Sequence, residues 1–166
     1  SVKEIIGLDT WDVSNVQNFG GLFSGLIHLE SLNLDNWHLS TMPGGIFVNI
    51  PSLETVSTKN WVILSANFTH GFFRSMSGGS SIKTIDVTGW DISKCTNISG
   101  LFASGSGLQT IIGLNTWDTS TITNISDFFN GNSSMTSYDL SSFDTSNVTT
   151  FSTMFLGNSS LTTLES

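Results

Sequence analysis

Four aspartates hold the same place in a recurring phrase: Asp12 in WDVS, Asp91 in WDIS, Asp118 in WDTS and Asp144 in FDTS. If the chain stacks on itself, the last three carboxylates lie about 4.8 Å apart, the spacing between neighbouring strands. Like charges at that distance repel by roughly 1 kcal/mol per pair in water and about 3–4 kcal/mol at an effective dielectric of 20. Such a column needs solvent, hydrogen bonds or bridging cations. The Asp-x-Ser spacing suits an Asx-turn, in which each carboxylate accepts a nearby backbone N–H. We prefer that reading to a calcium ladder, because the glycine-rich nonapeptide of calcium-binding β-rolls does not occur in the sequence.

Other groups with chemical potential do not converge. Nucleophilic catalysis needs a base beside the nucleophile and a group that orients the base. His28, His38 and His70 fall at different phases of different copies, and no serine or carboxylate recurs around them. The sequence therefore predicts no catalytic residue, no metal site and no cofactor. Cys95, the one cysteine, leaves no internal disulfide or cysteine zinc site, and it occupies a position where other copies carry Val or Ile. A small buried hydrophobe is expected there. Six Asn-x-Ser/Thr sequons, at Asn67, Asn97, Asn124, Asn132, Asn147 and Asn158, follow from a composition rich in Ser, Thr and Asn.

Charge narrows the partners. The net charge is −8, and the five basic residues (Lys3, Lys59, Arg74, Lys83, Lys94) are scattered, which argues against nucleic acid. No run of about 18 apolar residues is present for a membrane span, and the N-terminus lacks the pattern of a signal peptide. The chain starts and stops inside its repeat pattern, so it reads as one domain, residues 1–166, cut from a longer protein.

The elements that would position these residues follow from the repeat. Aromatic anchors recur at Trp11, Trp37, Trp61, Trp90, Trp117 and Phe143, in steps of 26, 24, 29, 27 and 26 residues. A second aromatic follows twelve positions later at Phe23, Phe73, Phe102, Phe129 and Phe155, and ten later at Phe47. Periods of this length mean stacked supersecondary units. Before each anchor the frame LxxLxLxxW, as in LESLNLDNW, alternates like a strand and sends Leu32 and Leu34 inward. Copies one and five carry an extra residue, and Gly7 and Gly113 fit a bulge there. After the anchor, Ser14, Ser93, Ser120 and Ser146 suit helix N-caps, and the spacing of Ile98 to Leu101 and Ile125 to Phe128 predicts one face of a short helix. Anchors and second aromatics should form two internal columns, each ring removing roughly 150–250 Å² from water.

The frame is that of a leucine-rich repeat with Trp in place of the common Asn. The whole unit, carried most specifically by SFDTSNVTTFSTMFLGNSSLTTL, resembles the BspA-like leucine-rich repeat family of bacterial surface proteins. The resemblance implies an α/β solenoid: a right-handed coil of about six copies of 24–29 residues, with one parallel sheet face and short helices or 3-10 turns opposite. It also implies an extracellular location, at the cell surface or wall, and adhesion to a host-matrix or cell-surface protein. Copies two and three depart from the pattern, with Pro43 and Pro51 in one and a long turn, SMSGGSS, in the other.

On such a coil the outward strand positions form one broad, acidic, hydroxyl-rich face. Its candidate contacts are Asp9, Asn33, Asp35, Ser57, Lys59, Asp86, Thr88, Asn115, Asp139 and Ser141. The irregular copies, with Trp61, His70 and Arg74, are a second candidate. The expected function is a non-catalytic protein-interaction module, against the alternatives of a structural spacer or a glycan-binding module, without membrane insertion by this chain.

Overall fold

Thr, Val and Ile at alternating positions favour extended backbone, and in the computed structural model they give strands of two or three residues. The structure describes residues 2–69, 71 and 81–166. One sheet is built from β1 (Ser31–Asn33), β3 (Thr55–Ser57), β5 (Thr84–Asp86) and β6 (Thr110–Ile112), and a separate two-stranded sheet from β7 (Ser137–Asp139) and β8 (Thr163–Glu165). A second line holds β2 (His38–Leu39) and β4 (Val62–Ile63). Every pair is parallel, and the register joins equivalent residues of successive copies: Leu32 to Val56 to Ile85 to Ile111, and Tyr138 to Leu164. Parallel partners one copy apart mean that the backbone winds once per copy. The fold is a parallel β-solenoid of about five turns.

The expected helices are replaced by turns and β-bridges. A third line of parallel bridges runs Asn67, Asn97, Asn124, Thr150. Along it, alternate N–H groups reach the neighbouring coil rather than their own: Ile98, Gly100, Phe102 and Ser104 donate to Asn124, Ser126, Phe128 and Asn130. The backbone is left-handed at Gly100, Asp127 and Thr153, and four residues on at Ser104, Gly131 and Gly157. A helix cannot propagate through such residues. Among the described residues the helical elements are two 3-10 turns, Leu8–Thr10 and Leu114–Thr116, placed just before the anchors Trp11 and Trp117. They absorb the extra residue of copies one and five. Gly7 and Gly113, at φ 86° and 92°, therefore open a turn where a strand bulge was expected.

The aromatic column runs from Trp37 to Trp117; Phe143, expected to extend it, is half-buried and packs tilted against Phe128 at 6.2 Å instead. Trp37, Trp61, Trp90 and Trp117 are buried and stack in sequence at 6.1, 4.9 and 5.0 Å between ring centroids. Each indole N–H donates to a carbonyl one coil back, at Leu8, Leu34, Thr58 and Val87, over 2.7, 2.6, 2.7 and 2.9 Å. Buried indoles need that partner. Trp11 departs from the expectation: it is 51% exposed, and Phe19 stacks on Trp37 instead, at 5.6 Å. The equivalent residues in copies four and five, Ile98 and Ile125, are too short to do so. Phe102, Phe129 and Phe155 make a second stack, at 6.2 and 5.7 Å; Phe73 lies outside the described residues. No helix among the described residues is long and apolar enough to cross a membrane.

Candidate functional site

On the sheet face, nine of the ten candidate residues are tied to one another. Asn33 Oδ1 accepts the Asp35 N–H at 3.0 Å. Asp35 Oδ1 accepts from the next coil, the Ser57 hydroxyl at 2.6 Å and the Lys59 N–H at 2.8 Å. The Lys59 ammonium lies 3.4 Å from Asp86, whose other oxygen accepts the N–H and hydroxyl of Thr88 at 3.0 and 2.6 Å. One chain of contacts thus runs 33–35–57–59–86–88 across three coils. Farther along, Asn115 donates to Asp139 at 2.7 Å, and Asp139 accepts the N–H and hydroxyl of Ser141 at 3.1 and 2.6 Å. The serine bonds hold the Asp139 carboxyl below its ordinary 3.8. Asp9 stands apart from both networks.

Beside this braced row lies a column of hydroxyl residues outside the candidate set. Ser31, Thr55, Thr84 and Thr110 are in register on β1, β3, β5 and β6, and Ser137 pairs with Thr163 on β7 and β8. Among the described residues none of these six hydroxyls makes a side-chain hydrogen bond, and all but the half-buried Thr84 are exposed. Their signal was the hydroxyl residue that opens each strand frame. As neutral groups that donate and accept at strand spacing, they suit an extended polar partner.

The four aspartates after the anchors form the expected Asx-turns. Their carboxylates accept the N–H of Ser14, Ser93, Ser120 and Ser146 at 3.0, 3.0, 3.0 and 2.9 Å. Serine hydroxyl and backbone bonds lower all four carboxyls below 3.8, while Asp118 pushes Asp144 the other way. Among the described residues no group of three His, Cys, Asp or Glu could hold a metal ion. A serine N–H orients each of the four carboxylates, and the Asp side chain is the cap where Ser was expected to be.

The remaining candidates separate cleanly. Cys95 is buried, donates to the Ser65 carbonyl at 3.3 Å, and is pushed up to about 12 by burial. Asn132 and Asn158 brace the interior, Asn132 accepting the Gly105 N–H at 3.0 Å and Asn158 the Tyr138 hydroxyl at 2.6 Å. His28 and His38 are exposed, and Trp61 is fully buried, which removes it from the second candidate surface. His70 and Arg74 of that surface lie outside the described residues. A cleft of about 370 Å³ sits beside the first coil, lined by Asp9, Trp11, Asp12, Asn36 and His38 among others.

Residues 3–77 and again 67–164 match the family described as Mycoplasma protein of unknown function, DUF285. The chain belongs to that family. Each match takes in three anchors, Trp11, Trp37 and Trp61 in one and Trp90, Trp117 and Phe143 in the other, so a DUF285 unit here corresponds to about three coils. No curated protein and no solved structure matches the chain.

Proposed function

We propose that this DUF285 chain is a non-catalytic interaction module of an exported bacterial surface protein, and that its sheet face binds a host-matrix or cell-surface protein. The observation that carries this reading is the hydroxyl column Ser31, Thr55, Thr84, Thr110, whose residues are in register and whose hydroxyls make no hydrogen bond among the described residues. A solenoid offers such a face to extended partners because each turn repeats the same outward chemistry. We also infer the finer relationship to BspA-like leucine-rich repeats, with six copies wound right-handedly; the LxxLxLxxW frame supports it.

The test is a binding screen of the 166-residue chain against matrix proteins, mucin and a glycan array. The proposal expects protein binding that weakens by about tenfold when Thr55 and Thr84 are both replaced by Val, which keeps shape and strand preference while removing two hydroxyls. Binding unchanged in that double variant would refute the face assignment. Silence against every ligand would favour a spacer that holds another domain away from the cell.

A further inference from the structure

Between consecutive strands of the sheet face the ladder breaks at one place, deep in the coil. β1, β3, β5 and β6 pair in turn and β7 pairs with β8, but β6 and β7 do not pair. The bonds that flank each ladder fail at the same place. At strand entry, Glu54, Lys83, Gln109 and Thr162 donate to Glu30, Glu54, Lys83 and Thr136 of the coil before, at 3.0, 2.8, 2.8 and 2.9 Å. At strand exit, Leu34, Thr58, Val87 and Leu140 donate to Ser57, Asp86, Ile112 and Glu165 of the coil after, each at 2.8 Å. Among the described residues, neither Thr136 to Gln109 nor Gly113 or Leu114 to Asp139 forms the matching bond. Burial fails there too. The inward residues Leu32, Val56, Ile85 and Tyr138 are buried, whereas Ile111 beside the break is half-buried and Ile112 is 45% exposed.

The residue inserted in copy five is the cause. Copy two runs LNLDNW from Leu32 to Trp37, and copy five runs IIGLNTW from Ile111 to Trp117. Gly113, at φ 92°, opens the turn Leu114–Thr116, where Thr116 and Trp117 donate back to Gly113 and Leu114 instead of reaching the next coil. Gly113 also leans on the preceding coil, since a Cβ on it would lie 2.6 Å from the Thr88 nitrogen. The break is spanned by side chains: Asn115 donates to Asp139 at 2.7 Å, and the Ser142 hydroxyl makes long contacts to the carbonyls of Leu114 and Trp117, at 3.4 and 3.3 Å. The opposite side of the same junction keeps its backbone bonds. Ile125, Asp127, Phe129 and Gly131 donate to Thr150, Ser152, Met154 and Leu156, and Tyr138 stacks on Phe129 at 4.0 Å.

A junction bonded along one edge and open along the other resists sliding and yields to rotation. We propose that the solenoid is hinged between β6 and β7, turning about the bonded line at Asn124 and Thr150 and opening its sheet side on the μs–ms scale of hinge motions. The inference is independent of what the face binds. Its consequence is that the hydroxyl row Ser31, Thr55, Thr84, Thr110 moves as one body and the pair Ser137, Thr163 as another.

Amide-resolved hydrogen exchange and NMR relaxation dispersion on the 166-residue chain test the hinge. Strand alternation aims the N–H groups of Ile111, Ser137 and Asp139 at the break. They should exchange about a hundredfold faster than those of Val56, Thr84 and Asp86, whose ladder is intact. Amides of residues 110–116 and 137–141 should show dispersion that those of 55–57 and 84–86 lack. Deleting Gly113 restores the six-residue frame of copy two, and should slow these amides and abolish the dispersion. Should that variant misfold, the pair Asn115→Cys and Asp139→Cys bridged by a short bis-maleimide takes its place, with the singly capped thiols as control; Cys95 is buried and stays out of the reaction. Bridging should quench the dispersion and capping should not. Fast exchange without dispersion would mean a static, hydrated gap and would overturn the hinge. Protection at Ile111, Ser137 and Asp139 equal to that of the paired strands, or dispersion that neither deletion nor bridging alters, would overturn it as well.

Discussion

Replacing Trp61 by alanine removes the ring at the middle of the column, 6.1 Å from Trp37 and 4.9 Å from Trp90. A buried indole withdraws roughly 150–250 Å² from water, or about 4–6 kcal/mol as an upper value at 25 cal/mol per Å². Measured Trp or Phe to Ala losses in cores run about 3–5 kcal/mol. The Leu34 carbonyl loses the indole N–H it accepts at 2.6 Å, adding about 1–3 kcal/mol unless water enters the cavity. We expect a loss of about 4–6 kcal/mol, comparable with the whole stability of many domains. Trp61→Phe, which keeps a ring and loses the N–H, should cost about 2–3 kcal/mol. Trp11→Ala, half-exposed and unstacked, should cost less than about 1 kcal/mol. Urea unfolding followed by far-UV circular dichroism measures all three without relying on the tryptophan signal. A solenoid can unfold in stages, so the slope of each transition must be compared as well as its midpoint. Losses at Trp61 and Trp11 that agree within about 1 kcal/mol would refute the column and the place given to Phe19.

The two inserted glycines give a sharper comparison. Both are left-handed, so alanine costs about 1 kcal/mol at either; at Gly7 a Cβ meets nothing within 4 Å, whereas at Gly113 it would sit 2.6 Å from the Thr88 nitrogen of the preceding coil. Gly113→Ala should therefore lower the urea midpoint well beyond Gly7→Ala, and equal shifts would count against the inter-coil register. Acid should weaken the fold through the Asx-turns. The carboxyls of Asp12, Asp91, Asp118, Asp139 and Asp144 are lowered from 3.8 in the folded chain, so their contribution is complete above that value and is lost as pH falls through the depressed ones. Asn at Asp91, Asp118 and Asp144 keeps the turn acceptor but not the charge, so urea midpoints between pH 5 and pH 2.5 should flatten in that triple variant.

What the sequence made legible was the winding, because an aromatic every 24–29 residues has one physical use, stacking, and the LxxLxLxxW frame marks where each turn presents a strand. Its failures share a cause. A spacing of three, as from Ile98 to Leu101, is common to a helical face and to a tight turn whose N–H groups bond sideways. The arbiter is the backbone sign at Gly100, Asp127 and Thr153, and only the glycine advertises it. Trp11 was misplaced for a similar reason. Its phrase WDVS is indistinguishable from WDIS at Trp90, yet the ring stacked on Trp37 is Phe19, eight positions on. The face was legible as outward and polar. Which of its polar groups bond to each other was not, because the partners come from different copies.

That last distinction changes what the face can offer a partner. Asp35, Asp86 and Asp139 look in the sequence like three free charges, yet Asp35 is held by Ser57 and Lys59, Asp86 faces the Lys59 ammonium, and Asp139 is bonded by Asn115 and Ser141. Their attraction for a basic partner is already reduced by these internal donors. Reversing their charge would break turns as well as contacts, so loss of binding on reversal could not separate the two causes. The groups left for a partner are those of the neutral hydroxyl column. Hydroxyls on adjacent rigid strands specify spacing rather than charge. Salt should therefore act weakly: raising ionic strength from about 50 to about 500 mM should leave binding to the sheet face nearly unchanged, roughly within twofold. A steep loss of affinity with salt would place the attraction back on the strand aspartates.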